Sequence, residues 1–328
     1  MGAQAMGPIG LTNNQRLFAE YLADLWGKLE VTAESRDFPS DEGAASNSVP
    51  SAKCSGRAGL LHGYRISQSR HWKPWRTRIV KPVQHWWCHS LSEAFFHYSW
   101  PEDPQPNSFQ HIAARLRQAL AVKDQAATRH ECLAIFKWGG VARKANDKSR
   151  VWVEDQYQKI TLCQSIMQAT QLLQPGSSQA LGAFDGRGLL MNAAMTKVYA
   201  AADPANIIIY DGRVGAALGL LARYWLEMSH IAGVPADLAF RWGRGQGSAK
   251  RDPSLGGYSF PELYSPSTKT HHKDEVWAGQ VRLAGQLLKQ MMVLNSSIAS
   301  IGDIEKALFM IGFSVEPQFP PQPLPHVS

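Results

Sequence analysis

Residues 184–223 read FDGRGLLMNAAMTKVYAAADPANIIIYDGRVGAALGLLAR, and the fold follows from how this stretch is divided. Phe184-Asp185-Gly186-Arg187-Gly188 has the form of a tight hairpin, because glycine enters turn conformations that other residues resist. A helix is expected from about Gly188 to Ala202, and it carries Lys197. Ile207-Ile208-Ile209-Tyr210 is a short extended apolar run. Asp211 then opens a second helix, since Asp is a favoured N-cap. Val214, Ala217, Leu218, Leu221, Trp225 and Met228 mark its buried stripe at helical spacing.

Outward from this centre the pattern stays helical. Asn14 to Lys28 is amphipathic through Phe18, Tyr21, Leu22, Leu25 and Trp26. Residues 32–59 are rich in Ser, Ala, Gly, Asp and Glu and read as a loop-like insert. Residues 71–100 hold Trp72, Trp75, Trp86, Trp87 and Trp100 among four histidines, and Pro101, Pro104 and Pro106 come next. That proline break predicts a boundary between an N-terminal accessory region, 1–105, and a main helical domain, 106–316. Within the latter, helices are expected over 111–122, over 128–137 before Trp138-Gly139-Gly140, over 157–173 before Gln174-Pro175-Gly176, over 275–294 and over 303–311. A Gly-rich basic loop spans 241–257, and residues 317–328 form a Pro-rich tail. The expected fold class is mostly α.

Composition narrows the function. Of 328 residues, 44% are hydrophobic and 19% charged, which describes a folded chain with a real core. No apolar run reaches the ~20 residues that a membrane helix needs, and Met1 to Gly10 lacks the basic start of a signal peptide. A cytoplasmic protein with no membrane partner is expected. The net charge of +7 is compatible with a polyanionic partner. Cys54, Cys88, Cys132 and Cys163 form no C-x-x-C pair, so reduced, buried thiols are expected rather than a disulfide framework. His85, Cys88, His89 and Glu93 have spacing that one helix face would turn towards a metal, but histidine–aromatic packing is the commoner use of such residues. No metal and no cofactor is expected.

Asp211 and Lys197 are the candidates for chemistry. A carboxylate at a helix N-terminus is kept ionised by the helix dipole, and can stabilise a sugar cation as a glycosidic bond breaks. A nearby lysine can attack the sugar carbon and form a Schiff base. Each also has a plain structural reading, Asp211 as a cap and Lys197 as a solvated surface lysine.

This stretch resembles the helix-hairpin-helix DNA glycosylases. Asp211-Gly212-Arg213-Val214 and the apolar helix to Arg223 look like the catalytic segment of the adenine-DNA glycosylase branch. Thr196-Lys197-Val198 looks like the nucleophile segment of the 8-oxoguanine branch, and residues 195–214 together resemble bacterial proteins with the 8-oxoguanine-glycosylase fold. The resemblance covers about a tenth of the chain closely. It implies two helical subdomains around a DNA-binding cleft, with a base flipped into a pocket and its N-glycosidic bond cleaved from double-stranded DNA. The base would be an oxidised purine in repair, or a modified cytosine such as glucosylated hydroxymethylcytosine in phage defence, as in some related glycosylases.

Two departures bear on mechanism. Arg187 stands between the hairpin glycines, where an aliphatic residue is usual. Counting from the second glycine puts the nucleophile position at Leu190, which implies an enzyme that uses water. Aligning on Thr196-Lys197-Val198 restores a lysine, 14 residues before Asp211. On one continuous helix, positions 190 and 197 would share a face about 10.5 Å apart. The resemblance further implies phosphate contacts from Gly186, Arg187, Gly188 and Arg213. Arg244 and Lys250 of the basic loop are candidate phosphate ligands, and Trp138 and Tyr210 candidate walls of the base pocket. The competing reading is a non-catalytic DNA-binding protein that keeps the scaffold.

Overall fold

A computed structural model describes residues 10–27, 62–65, 85–98, 108–245, 250–264 and 272–316. The 32–59 insert and the 317–328 tail lie outside the described residues. The described chain is mostly α, with ten helices and one two-stranded antiparallel sheet. In order these are α1 (Asn13–Trp26), β1 (His62–Arg65), β2 (His85–Cys88), α2 (Leu91–Phe96), α3 (Phe109–Ala121), α4 (Gln125–Trp138), α5 (Lys148–Gln158), α6 (Leu162–Leu172), α7 (Met195–Ala202), α8 (Gly212–Met228), α9 (Lys273–Leu294) and α10 (Ile301–Ile311). No described helix is long and apolar enough to cross a membrane.

The helices fall into two groups by contact. α3 to α7 pack on one another, while α1, α2, α8, α9 and α10 form the second set with the β-ribbon against α2. Between them run the hairpin at 183–192 and the segment 203–211. Side chains of both groups nonetheless join one hydrophobic core.

Described segments on both sides of the boundary expected at 105 share one core. Phe18, Leu22, Trp26, Tyr64, Trp86 and Leu91 all sit in that common core. Thr12 and Gln15 close α1 with a reciprocal capping box, and Phe18 packs on Trp225 and Phe240. Tyr64 stacks on Trp86 and Phe313 and donates to the Met310 carbonyl, 3.0 Å. The described N-terminal segments therefore complete the core with Phe18, Trp26, Tyr64 and Trp86.

Three helix expectations need correction. The helix expected over 157–173 is two: α5 ends at Gln158, Ile160 takes φ +58°, and α6 starts at Leu162. Thr161 and Ser165 both donate to the Gln156 carboxamide, each 2.8 Å, and lock this corner. α5 lacks an apolar stripe strong enough to reveal it; only Ser149, Trp152, Val153 and Gln156 are buried. The helix expected from Gly188 begins instead near Met195. Asn192 Oδ1 accepts from Ala194 N (2.9 Å) and Met195 N (3.1 Å), an Asx cap that starts the helix there. Finally, His85–Cys88 is a strand, so the metal-ligand spacing never shares a helix face. Cys88 is buried, and Glu93 accepts from the His89 amide at 2.6 Å.

Candidate active site

The site is built where the two helix groups meet. α7 brings Lys197 from one side, the start of α8 brings Asp211 and Arg213 from the other, and α10 adds Glu305. The run Ile207–Tyr210 passes between them, held by two side chains. Thr196 Oγ1 donates to Ile208 O (3.2 Å) and accepts from Tyr210 N (3.0 Å). Glu305 Oε2 accepts from Ile209 N at 2.7 Å. Two consecutive peptide groups just before Asp211 are thus fastened to the neighbour of Lys197 and to α10.

Asp211 is the N-cap of α8. Its Oδ1 accepts from Arg213 N (2.8 Å) and Val214 N (3.2 Å), and Oδ2 accepts no hydrogen bond from the described residues. Burial raises the proton affinity of this carboxyl. The charges of Lys197, Arg213 and Arg251, with the Val214 amide, outweigh burial and hold it below its ordinary value. Asp211 is therefore an anion at neutral pH, and half-buried.

Lys197 is 7% exposed and donates to the Ala193 carbonyl at 3.0 Å. Burial lowers its proton affinity; Asp211 and Glu305 oppose this and Arg213 adds to it, leaving the net shift downward. A solvated surface lysine would show none of this. Its stem lies against Gly139, where an added Cβ would come within 2.7 Å of Cδ and 2.8 Å of Cε. Leu190 is fully buried outside the helix, and its carbonyl accepts from Tyr199 Oη at 2.8 Å. Of the two alternative nucleophile positions, 197 is the one whose charge acts on Asp211.

Sequence reasoning missed Glu305 and Arg251. Burial, with help from the Asp211 charge, pushes the Glu305 carboxyl up to about 7, against Ile209 N–H, Lys197 and Lys306. Arg251 is drawn down to about 10 by burial and by Arg213, against Asp211 and Tyr64. Two carboxyls in one site thus differ in state: Asp211 stays ionised, whereas Glu305 exchanges its proton near neutrality. Nothing in α10's sequence flags Glu305, which looks like an ordinary amphipathic-helix carboxylate. Arg251 falls in the basic loop, which did carry a signal.

No protein-family model matches this chain, nor does any curated protein or solved structure.

The other candidate residues are spread around this centre. The Arg213 guanidinium lies 4.2 Å from the Phe309 ring centre and 4.9 Å from that of Phe313, an internal cation–π sandwich. Arg244 forms a fork with both Glu262 oxygens at 3.1 Å, and Lys250 pairs with Glu316. At the hairpin, the amides of Arg187 (2.8 Å) and Gly188 (2.7 Å) both donate to Asp185 Oδ1, so these two N–H groups are already satisfied. Gly186 has φ +78° and is needed as glycine. The Trp138 ring stacks on Phe109 with centres 4.4 Å apart. Tyr210, the other candidate wall, faces inward. It is fully buried, and its Oη donates towards Arg241 O (2.9 Å) and Gln280 Oε1 (3.0 Å). A cavity of about 340 Å³ opens beside the hairpin, lined by Gln156, Gln164, Gln168, Ser165 and Asp185 among others, and does not include Asp211 or Lys197.

Proposed function

We propose that this protein is a DNA glycosylase that flips a modified base out of double-stranded DNA and cleaves its N-glycosidic bond at the junction of the two helix groups. One observation carries the reading: an ionised Asp211 and a buried Lys197 of lowered proton affinity converge on one site with a second carboxyl, Glu305, that exchanges its proton near neutrality. Carboxyls driven apart in this way are the mark of divided acid and base duties. Asp211 would stabilise the positive charge that develops on the sugar. Glu305 would give its proton to the departing base as the C1′–N bond breaks and the electron pair leaves with that base. Water then adds to C1′, and its proton returns to Glu305. In the covalent variant, Lys197 attacks C1′ in place of water and forms a Schiff base, and strand cleavage follows. The residues need no metal or organic cofactor for either route. The substrate is an oxidised purine, as in repair, or a modified cytosine such as glucosylated hydroxymethylcytosine, as in phage defence. A cytoplasmic location fits both.

A specific observation also favours the alternative, a non-catalytic DNA-binding protein. Asp211 makes two good capping bonds, which would account for the residue without chemistry. The test uses wild-type protein, Asp211→Asn and Lys197→Met on duplex containing 8-oxoguanine and on phage DNA containing glucosylated hydroxymethylcytosine. Asn is also a good cap, so Asp211→Asn removes the charge and keeps the helix start. Base release by wild type and not by Asp211→Asn is expected, with a borohydride-trapped adduct that Lys197→Met abolishes if the covalent route operates. Equal release by wild type and Asp211→Asn would remove Asp211 from the mechanism. Tight binding of DNA with no base release from a wide panel of modified bases would leave the non-catalytic reading.

A further inference from the structure

Of the cations that the sequence pointed to for phosphate binding, Arg213 is held by two rings, and Arg244 and Lys250, though exposed, pair with Glu262 and Glu316. A second group of exposed cations, which includes Arg187, lies along one edge. The turn between α4 and α5, the first turn of α5 and the hairpin at 185–188 form one continuous edge. Trp152 Nε1 donates to Arg187 O at 3.1 Å, and Asn192 Nδ2 donates to Ser149 Oγ at 2.9 Å. A Cβ at Gly186 would come within 2.7 Å of Lys148 Nζ. The same edge reaches the candidate site, because Gly139 lies on the stem of Lys197.

Its charge is one-sided. Residues 137–150 hold five cations and one acid. Lys137, Arg143, Lys144, Lys148 and, across on the hairpin, Arg187 are exposed. The acids are spent on backbone: Asp147 Oδ2 accepts from Lys144 N (2.8 Å), Asp185 accepts the two hairpin amides, and Asp274 accepts from Met191 N (2.9 Å) with Lys148 at 3.7 Å. The turn is held in one shape. Arg143 Nε donates to Gly140 O (3.0 Å), Arg150 Nε donates to Ala142 O (2.8 Å), and Ala142 adopts φ +46°, a strained conformation for a residue with a Cβ. A pre-shaped row of lysines and arginines that leads to a buried amine suits a regular polyanion.

We propose that the edge of Lys137, Arg143, Lys144, Lys148 and Arg187, rather than Arg244 and Lys250, grips the phosphate backbone of duplex DNA and delivers it to Lys197 and Asp211. This rests on the glycosylase reading for its partner, but its test needs no damaged base. Each phosphate contact releases counterions and adds about −0.9 to the slope of log K against log salt.

Binding of an unmodified duplex is measured by fluorescence anisotropy from 50 to 300 mM KCl for wild type, for Lys144→Gln/Arg187→Gln and for Arg244→Gln/Lys250→Gln. Circular dichroism verifies that each variant is folded; these side chains are exposed and their replacement leaves the core intact. The edge pair should reduce the magnitude of the slope by about 2 and weaken binding at least tenfold at 100 mM salt. The Arg244/Lys250 pair should leave both near wild type. A wild-type slope in the edge variant, or a loss in the Arg244/Lys250 variant alone, overturns the edge while the DNA reading stands. No salt-dependent binding of duplex by wild type overturns both. Binding instead to vesicles of 30% phosphatidylserine, lost in the edge variant, would make the partner an anionic membrane surface and refute the proposal.

Discussion

Replacing Glu305 by Gln should stabilise this protein at alkaline pH, because the fold holds a carboxyl where its charge is unwelcome. The Glu305 group exchanges its proton at about 7 in the folded chain, against 4.5 for an ordinary glutamate. The folded state therefore binds the proton more tightly than the unfolded state does. Its contribution is fully present below pH 4.5 and is lost as pH rises through 7. At about 1.4 kcal/mol for each tenfold in proton affinity, the gap amounts to about 3 kcal/mol. Because the side chain is only partly shielded from water, that figure is an upper bound. Glutamine keeps an oxygen to accept from Ile209 N and cannot ionise. Four groups face this position: the Ile209 amide, Lys197, Asp211 and Lys306. Removing the charge deprives Lys197 of one neighbouring anion, but Asp211, the larger of its two anionic neighbours, remains. Urea unfolding at pH 4.5, 6, 7.5 and 8.5 reads the effect. The variant should match wild type at pH 4.5 and exceed it by about 1–3 kcal/mol at pH 8.5. The wild-type curve alone would hide this. His62, buried and bonded through Nε2 to Ser314 O at 2.9 Å, is held down to about 4 by burial. Its contribution is present above pH 6.5 and lost as pH falls towards 4, the opposite trend. The difference between variant and wild type cancels His62 and leaves Glu305. Equal stability of the two proteins at every pH would refute the electrostatic account of the site.

Two further outcomes test the packing that positions the site. Gly215→Ala should destabilise by about 2–3 kcal/mol or more, because its Cβ would lie 1.9 Å from the Arg241 carbonyl; thermal unfolding measures this, and a neutral result would mean that the 241–243 segment is not seated on α8 as described. Deleting residues 1–105 should abolish cooperative unfolding, since Phe18, Trp26, Tyr64 and Trp86 leave the core with them; a sharp denaturant transition in the truncated chain would restore the boundary expected from the prolines.

Legibility in the sequence depended on whether the signal was local. α1, α3, α4, α8, α9 and α10 were legible because each buries a stripe of apolar side chains and several end on caps. α5 was not, because its stripe is short and its exposed face carries Lys148, Arg150 and Glu154. The late start of α7 was legible in principle, in Asn192, a residue that competes with helix by capping. Asp211 could be singled out as a cap beside an apolar helix. Glu305 could not, since its raised proton affinity arises from packing against residues about 100 positions away in sequence. The hairpin glycines stand out in the sequence, whereas Asp185's capture of the two turn amides does not. That carboxylate turns an open anion nest into a closed turn.

The 14-residue interval between Lys197 and Asp211 looks too short for two helices to fold back and bring their side chains together. The structure resolves this by leaving α7 at eight residues and by clamping the segment after it. Thr196, one residue before the lysine, bonds to both Ile208 and Tyr210, so the chain needs only the turn at 203–206 to return beside its own start. Glu305 holds Ile209 from the other helix group. The docking of α10 that brings this carboxyl to the Ile209 N–H also holds it half out of water, and burial raises its affinity for a proton although the N–H itself lowers it. The clamp and the acid are therefore one residue. The position of Asp211 and the protonation of its partner are set together by the docking of α10, and a change that loosens α10 should weaken both at once.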